Sequence, residues 1–238
     1  MTADVQPVVP WSLKDVVKAL AILVGLVIPG FIFSVLPVSE GQIASQVPPL
    51  LTSLVMILME GVLVFLAWGF TVRKYHVSWR QLGLADFDLL RSLIHGVLWL
   101  IALRVFVAVY ALIAQSIFNF KPSFDLVQGI PEMFGSGIGG LILAILVVSL
   151  VAPVAEELFF RGFIYSALRN RLGVGKGILI SAVIFAFFHS RVWLIIPVTA
   201  MGAVLAFLYE REKSIGPPIV LHVLNNLSSL ILIYVLRG

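Results

Sequence analysis

Long apolar segments constrain this chain more than any other feature of its sequence. A helix needs about 20 apolar residues to cross the hydrocarbon layer of a membrane. Seven candidate segments can be drawn, at residues 15–37, 48–72, 90–117, 137–168, 176–189, 192–210 and 217–236. The fifth is too short to cross alone. The pattern predicts an all-α, polytopic membrane helix bundle of about seven transmembrane segments, one of them short, enclosing a polar cavity.

The composition leaves no room for a separate soluble domain. Of 238 residues, 61% are hydrophobic and 12% charged, whereas a soluble domain is about half apolar and a quarter charged. The chain has no cysteine, which excludes disulfides, thiolate metal ligands and a cysteine nucleophile. The first apolar run follows Lys14 and Lys18 and is too long for a signal-peptide core, so we expect it to be retained as a helix.

The net charge of +4 does not indicate nucleic-acid binding, because the basic residues form small clusters between apolar runs. Three connections are basic, and those near Glu40 and near Asp125 and Glu132 are not. The basic residues are Arg73, Lys74, Arg80 and Arg91, then Arg169, Arg171 and Lys176, and finally Arg211 and Lys213. Positive-inside bias predicts a cytoplasmic N-terminus and an external C-terminus. We expect an integral protein of a prokaryotic cell membrane, with the lipid bilayer as a partner.

Two local features of the fourth segment carry structural rather than functional predictions. The stretch GSGIGG at residues 135–140 fits a dinucleotide-binding pattern, but no strand precedes it, so close helix packing is the better interpretation. Pro153 lies inside the segment, where it removes a backbone hydrogen bond and should kink the helix just before the glutamates.

Ionisable residues inside the apolar segments are the informative candidates for function. A charge at the bilayer centre costs roughly 2.5–3.5 kcal/mol, so each such residue suggests a functional site. The set comprises Glu60, His95, Arg104, Glu156, Glu157, Arg161, His189 and His222.

The stretch EELFFR, residues 156–161, separates two glutamates by their helical positions. Glu157 and Arg161 are four residues apart and can pair on one helix face. Glu156 is rotated by about 100° from Glu157 and faces elsewhere. We interpret Glu156 as a free carboxylate suited to act as a general base in apolar surroundings. A purely structural pair would need only one acid.

Two further motifs supply histidines. Phe185 and His189 share a helix face in FAFFHS, and His189 lies at a distance from the basic loop similar to that of Glu156, roughly 20 Å, so the two could meet. His222 and Asn226 share a face in LHVLNN and suit an oxyanion site. The structural alternatives are an interfacial histidine and an interhelical polar contact.

The remaining ionisable residues are predicted to be structural. Glu60 and Arg104 are expected to pair across the second and third segments, and His95 could join them.

With these motifs in order, the chain resembles the CPBP family of intramembrane proteases, also called the CAAX-protease and bacteriocin-processing (Abi) family. Its motifs EExxxR, FxxxH and HxxxN correspond to Glu156, Glu157 and Arg161, to Phe185 and His189, and to His222 and Asn226. The stretch WRQLGL, residues 79–84, is similar to a short element before the family's core. The resemblance covers about residues 79–236 and divides the chain into N-terminal helices, 1–78, and a catalytic core, 79–238.

The resemblance implies an endopeptidase that hydrolyses a peptide bond of a membrane-anchored peptide or protein. Glu156 and His189 would activate the attacking water, and His222 with Asn226 would stabilise the oxyanion. Glu157 and Arg161 would position the catalytic helix. In the family's type II CAAX prenyl endopeptidases the substrate is a prenylated tail that loses three residues; in a bacterium a bacteriocin-like precursor is the expected alternative.

Three alternatives stay open at this stage. Glu156, His189 and His222 form a possible zinc ligand set, although the HExxH spacing is absent and metal-free hydrolysis, with no cofactor, is favoured. A non-catalytic membrane immunity or scaffold protein of the same family is the second. The third is a transporter that relays protons, which the lack of a visible internal repeat disfavours.

Overall fold

The computed structural model of the chain describes residues 8–35, 47–118, 129–189 and 192–237, and its regular structure in these ranges is entirely helical. The all-α helix bundle is therefore confirmed. The helices are α1 (Leu13–Val35), α2 (Pro49–Trp68), α3 (Leu89–Phe118), α4 (Ile130–Phe134), α5 (Gly137–Leu172), α6 (Val174–Phe188), α7 (Ile195–Glu212) and α8 (Gly216–Arg237).

Each of the seven predicted segments coincides with one of these helices. Among the described residues, α2, α3, α5 and α8 are long and apolar enough to cross a membrane, with α2 counted together with the π-helical turn Gly69–Arg73 that extends it. Helix α6, with 15 residues, is too short to cross alone, as predicted. The last two residues of the first segment lie outside the described residues.

Helix α5 is continuous but changes its hydrogen-bonding pattern along its length. It is π-helical over Ile145–Val151 and again over Leu158–Tyr165, on either side of the α-helical turn Ala152–Glu157. Pro153 lies in that central turn, and it does not end the helix. Such wide turns within α-helices occur frequently at functional sites.

The main hydrophobic core surrounds the second half of α5. Phe159 and Phe163 are fully buried there and pack in one cluster with Trp11, which precedes α1, and Leu63 of α2. The indole Nε1 of Trp11 donates a hydrogen bond of 2.9 Å to the Phe163 carbonyl. The N-terminal part of the chain thus packs directly against α5, and the division of the chain near residue 79 stays a prediction.

The WRQLGL stretch forms a short 3₁₀ turn, Trp79–Leu82, that packs closely against α5. The turn ends at Gly83, whose φ of +88° suits glycine. A Cβ on Gly162 of α5 would approach the Leu82 carbonyl oxygen to 2.6 Å. Similarly, a Cβ on Gly140 would lie 1.8 Å from the Gly135 carbonyl oxygen, so the glycines of GSGIGG permit close packing.

Candidate active site

Three helices bring the predicted site residues together. Helix α5 carries Glu156, Glu157 and Arg161, α6 ends just before His189, and α8 carries His222 and Asn226. Both α6 and α8 pack against α5. The motif residues that are separated by up to 70 positions in sequence therefore meet in one polar cluster.

Glu157 lies at the buried centre of this cluster. Its Oε1 accepts hydrogen bonds of 2.9 Å from Arg161 Nη1 and 2.9 Å from His222 Nδ1. The side chains of Glu157 and Arg161 are 0% and 1% exposed, and Arg161 Nη2 also donates to the Gly202 carbonyl at 3.2 Å. The pairing of Glu157 with Arg161 is as expected from their spacing, but its extension to His222 was not predicted.

Glu156 faces a different set of groups, as its rotation from Glu157 indicated. Its Oε2 lies 3.7 Å from the Nε2 atoms of both His189 and His222. These separations are too long for direct hydrogen bonds, and Oε2 has no hydrogen-bond partner among the described residues although it is buried. The Glu156 side chain keeps 15% exposure and His189 keeps 33%.

The hydrogen-bond partners of the two histidines determine which ring nitrogen carries the proton and which faces Glu156 as an acceptor. His189 Nδ1 lies 2.9 Å from the Phe185 carbonyl, which can only accept, so Nδ1 donates. His222 Nδ1 likewise donates to the Glu157 carboxylate. In each neutral ring Nε2 is then an acceptor. Three acceptor atoms, two imidazole nitrogens and a carboxylate oxygen, therefore converge on one point.

The Asn226 side chain donates to a backbone carbonyl of α5 that has no backbone donor of its own. The Ala152 amide bonds the Val147 carbonyl in the π-helical pattern, so the next donor in that pattern would be Pro153, which has no N–H. The Val148 carbonyl instead accepts 2.9 Å from Asn226 Nδ2. One N–H of the Asn226 amide is thereby used, and the second makes no hydrogen bond to the described residues.

Phe185 has a larger role than its place in the FxxxH spacing suggested. Its ring lies 4.3 Å from the His189 ring and 5.9 Å from the His222 ring, measured between centroids. The Arg161 guanidinium lies 4.3 Å over the same ring, a cation–π distance. Phe185 therefore supports both histidines and the buried arginine, and only the motif itself signalled it in the sequence.

The predicted pairing of Glu60 with Arg104 is wrong. Arg104 donates to α8, at Asn225 and two serines. Glu60 lies close enough to Glu156 for the two carboxylates to repel each other. Its Oε2 is buried without a hydrogen-bond partner among the described residues. His95 joins neither of them and lines a separate cavity of about 230 Å³ with Arg91. Spacing along the chain did not reveal which helix faces each residue opposes.

The possible zinc set of Glu156, His189 and His222 stays a prediction. Among the described residues, no group of three or more His, Cys, Asp and Glu side chains is arranged to hold a metal ion. Catalytic zinc sites place such ligands about 2.0–2.2 Å from the ion. Two ligands of a tetrahedral ion with such bonds are roughly 3.3–3.6 Å apart, and Glu156 Oε2 lies slightly further than this, 3.7 Å, from each of the two Nε2 atoms.

Comparison with known proteins agrees with the motif reading. Residues 138–228 match the family model described as "Type II CAAX prenyl endopeptidase Rce1-like". The matched segment contains all three motifs, from Glu156 to Asn226, and is shorter than the 79–236 expected from the sequence. The resemblance to the CPBP family is thereby confirmed.

Two curated bacterial proteins are similar to parts of the chain. "Putative membrane peptidase YdiL" of Bacillus subtilis (strain 168) is 36% identical over 108 residues, which cover 45% of this chain and 40% of that protein. "UPF0177 protein YxdF" of Lactococcus lactis subsp. lactis (strain IL1403) is 26% identical over 82 residues, covering 34% of this chain and 45% of that protein. The chain thus spans less than half the length of these relatives. No solved structure gives a significant match.

Proposed function

We propose that this chain, which resembles the CPBP family over its three motifs, is an intramembrane endopeptidase that cleaves a membrane-anchored peptide or protein by metal-free hydrolysis. The observation that carries the proposal is the convergence of Glu156 Oε2 with the Nε2 atoms of His189 and His222, at 3.7 Å each. Three neighbouring acceptors need a donor, and a water molecule supplies two O–H donors and a nucleophilic oxygen. The chain has no cysteine to serve as a nucleophile.

Glu156 acts as the general base in this mechanism, with His189 orienting the attacking water. The carboxylate takes a proton as the water oxygen bonds to the scissile carbonyl carbon, and the proton then passes to the leaving amine as the peptide bond breaks. The His189 ring holds its orientation through the bond from Nδ1 to the Phe185 carbonyl. Its Nε2 accepts a hydrogen bond from the second O–H of the water, and that proton stays on the attacking oxygen.

His222 and Asn226 stabilise the tetrahedral intermediate. Asn226 has one amide N–H left after its bond to Val148, and this group donates to the oxyanion. Because His222 Nδ1 already donates to Glu157 and Nε2 of the neutral ring accepts, His222 donates to the oxyanion only after its Nε2 has taken up a proton. Removal of one oxyanion donor in hydrolases costs about 10²–10³ in kcat, which sets the effect expected for Asn226→Ala.

We base the proposed substrate and cellular location on the family resemblance and on the relatives. Both curated relatives are bacterial, which supports a prokaryotic cell membrane with the basic connections, and therefore the N-terminus, in the cytoplasm. A bacteriocin-like precursor or another lipid-anchored peptide is the proposed substrate, with a CAAX-type prenylated tail as the alternative in a host that prenylates proteins. Residues 79–238 form the proposed catalytic core.

The test compares membrane-protein termini in cells that carry the native chain, Glu156→Gln or His189→Ala. We expect one set of new termini to appear with the native chain and to be lost with both variants, while Glu132→Gln, a carboxylate on α4 outside the cluster, retains them. Purified protein in vesicles must cleave the identified peptide, and metal analysis must find no stoichiometric metal.

Full cleavage by both cluster variants would refute the enzymatic role. A cellular phenotype that persists unchanged in Glu156→Gln would favour the non-catalytic immunity or scaffold role instead. Circular dichroism and size-exclusion profiles of each variant show whether a loss of cleavage reflects chemistry or misfolding. Stoichiometric zinc whose removal abolishes cleavage would overturn the metal-free mechanism alone.

A further inference from the structure

A cavity between the start of α1 and the end of α5 lies outside the candidate active site. Its volume is about 380 Å³, within the range of about 300–1,000 Å³ that is usual for ligand pockets. One wall is formed by the segment before α1 and the first residues of that helix, and the other by Ala167, Asn170 and Arg171 of α5. Asn170 Nδ2 donates to the Val9 carbonyl at 3.0 Å and so joins the two walls. Arg171 is separated from Glu156 by about 22 Å of helix.

Two cationic side chains, Lys14 and Arg171, line this cavity. Both are exposed, and neither makes a hydrogen bond or an ion pair to any residue that the structure describes. The carboxylate next to Lys14 in sequence, Asp15, is buried and is bonded to Lys74 and Tyr75 instead. The cavity therefore presents positive charge that the described part of the chain does not neutralise, which favours an anionic ligand.

The position of the cavity along the helices corresponds to a membrane surface. Arg171 lies in the last turn of α5, a helix long and apolar enough to cross a membrane, and Lys14 lies in the first turn of α1. In the proposed orientation this end of the bundle faces the cytoplasm. The cytoplasmic leaflet carries anionic lipids, and basic pockets between membrane helices on that side bind their headgroups.

An apolar strip continues from Lys14 along the exposed side of α1. Val17 and Val24 follow at i+3 and i+10, and 100° per residue keeps them within about 80° of Lys14 around the helix. They are 64% and 42% exposed. Trp11 and Leu13 add apolar surface to the cavity itself. A ligand with an anionic headgroup and an acyl chain would contact both the cations and this strip, whereas a free phosphate would contact the cations alone.

We propose that this cavity binds the headgroup of an anionic phospholipid, with the phosphate between Lys14 and Arg171 and an acyl chain along α1. The guanidinium offers five N–H donors in a plane that suits a phosphate, and the ammonium offers three more. The bound lipid joins the start of α1 to the end of α5, the helix that carries Glu156 and Glu157. This inference goes beyond the proposed hydrolysis and does not depend on it.

The test measures lipid binding to the purified chain in detergent micelles by native mass spectrometry. Phosphatidylglycerol is the anionic lipid, and phosphatidylcholine is the zwitterionic comparison. The variants are Lys14→Gln, Arg171→Gln and the two combined. Lys176→Gln is the matched control, because Lys176 is an exposed cation of the same basic connection as Arg171 and does not line the cavity. Each cation beside an anionic headgroup contributes about fivefold to binding.

We expect the native protein and Lys176→Gln to prefer phosphatidylglycerol, each single cavity variant to bind it about fivefold more weakly, and the double variant to bind the two lipids alike. Equal binding of both lipids by the native protein would overturn the proposal. An equal loss in Lys176→Gln and in the cavity variants would also overturn it, because the attraction would then belong to the basic surface as a whole.

Two competitors distinguish a lipid from a free phosphate. Inorganic phosphate and glycerophosphoglycerol, which is the phosphatidylglycerol headgroup without acyl chains, are added at the concentration of the lipid. We expect neither to displace phosphatidylglycerol, since neither can contact the apolar strip along α1. Displacement by inorganic phosphate would assign the cavity to a free anion and overturn the lipid assignment.

Thermal unfolding separates lost lipid binding from misfolding. With phosphatidylcholine alone the variants should unfold at the native temperature, because the Lys14 and Arg171 side chains are exposed. Added phosphatidylglycerol should raise the unfolding midpoint of the native protein and of Lys176→Gln, since a ligand that binds only the folded state stabilises it. The double variant should show no such rise, and a rise equal to the native one would contradict the assigned cavity.

Discussion

The buried ion pair between Glu157 and Arg161 gives the most quantitative prediction for this protein. Substitution Glu157→Gln keeps the shape of the side chain but removes its charge. The Arg161 guanidinium, 1% exposed, would then lose its hydrogen-bonded carboxylate and keep the hydrogen bond to the Gly202 carbonyl. Loss of one partner of a buried pair leaves an uncompensated charge and costs about 3–5 kcal/mol.

The second substitution, Arg161→Met, removes the guanidinium charge that Glu157→Gln leaves without its carboxylate partner. Alone, it leaves Glu157 buried with His222 as its remaining ionisable partner, and we expect a destabilisation of similar size. The double variant contains neither charge, so its loss of stability should be smaller than the sum of the two single losses. Residues in one ion pair typically couple by about 0.5–3 kcal/mol, and full burial places this pair at the upper end.

Reversible unfolding in mixed detergent micelles of increasing SDS content measures these free energies. The exposed pair of Arg80 and Asp86, 3.3 Å apart and 74% and 100% exposed, is the matched control, and its cycle should show no measurable coupling. Additive losses at Glu157 and Arg161, or a loss below about 1 kcal/mol for Glu157→Gln, would refute the reasoning.

Two smaller predictions test how α5 is held in place. Gly162→Ala should destabilise the protein by about 1–3 kcal/mol, because its Cβ would lie 2.6 Å from the Leu82 carbonyl oxygen. Gly175→Ala, whose Cβ meets nothing within 4 Å, should be neutral or stabilising by comparison. Equal thermal shifts for the two variants would contradict the close contact between Gly162 and Leu82. Trp11→Phe should cost about 1 kcal/mol through loss of the hydrogen bond to Phe163, and an unchanged unfolding midpoint would show that this bond contributes no net stability.

Sequence reasoning was most successful where the answer depended on neighbours along one helix. The pairing of Glu157 with Arg161 and the different direction of Glu156 follow from 3.6 residues per turn. The segments themselves follow from hydropathy, since only helices satisfy the backbone of a polytopic chain of this kind. Both predictions use local periodicity, which a single sequence contains in full.

Predictions that needed contacts between helices were less successful. Arg104 was assigned to Glu60, but it faces α8, because the rotation of α3 about its axis depends on packing that periodicity does not report. The bond between Asn226 and Val148 was also missed. It depends on a π-helical pattern next to Pro153, and the sequence indicated only that this proline would disturb the helix.

The length of α5 has a consequence for how the protein and its membrane act together. At 36 residues, a straight α-helix would measure about 54 Å, against about 30 Å of hydrocarbon. Tilt, or turns outside the hydrocarbon, must absorb this hydrophobic mismatch, and the last turn, with Arg169 and Arg171, is suited to the membrane surface. Glu156 lies about 24 Å of helix before Leu172. If the proposed function holds, the length of the lipid chains sets how deep a lipid-anchored substrate must reach to meet Glu156.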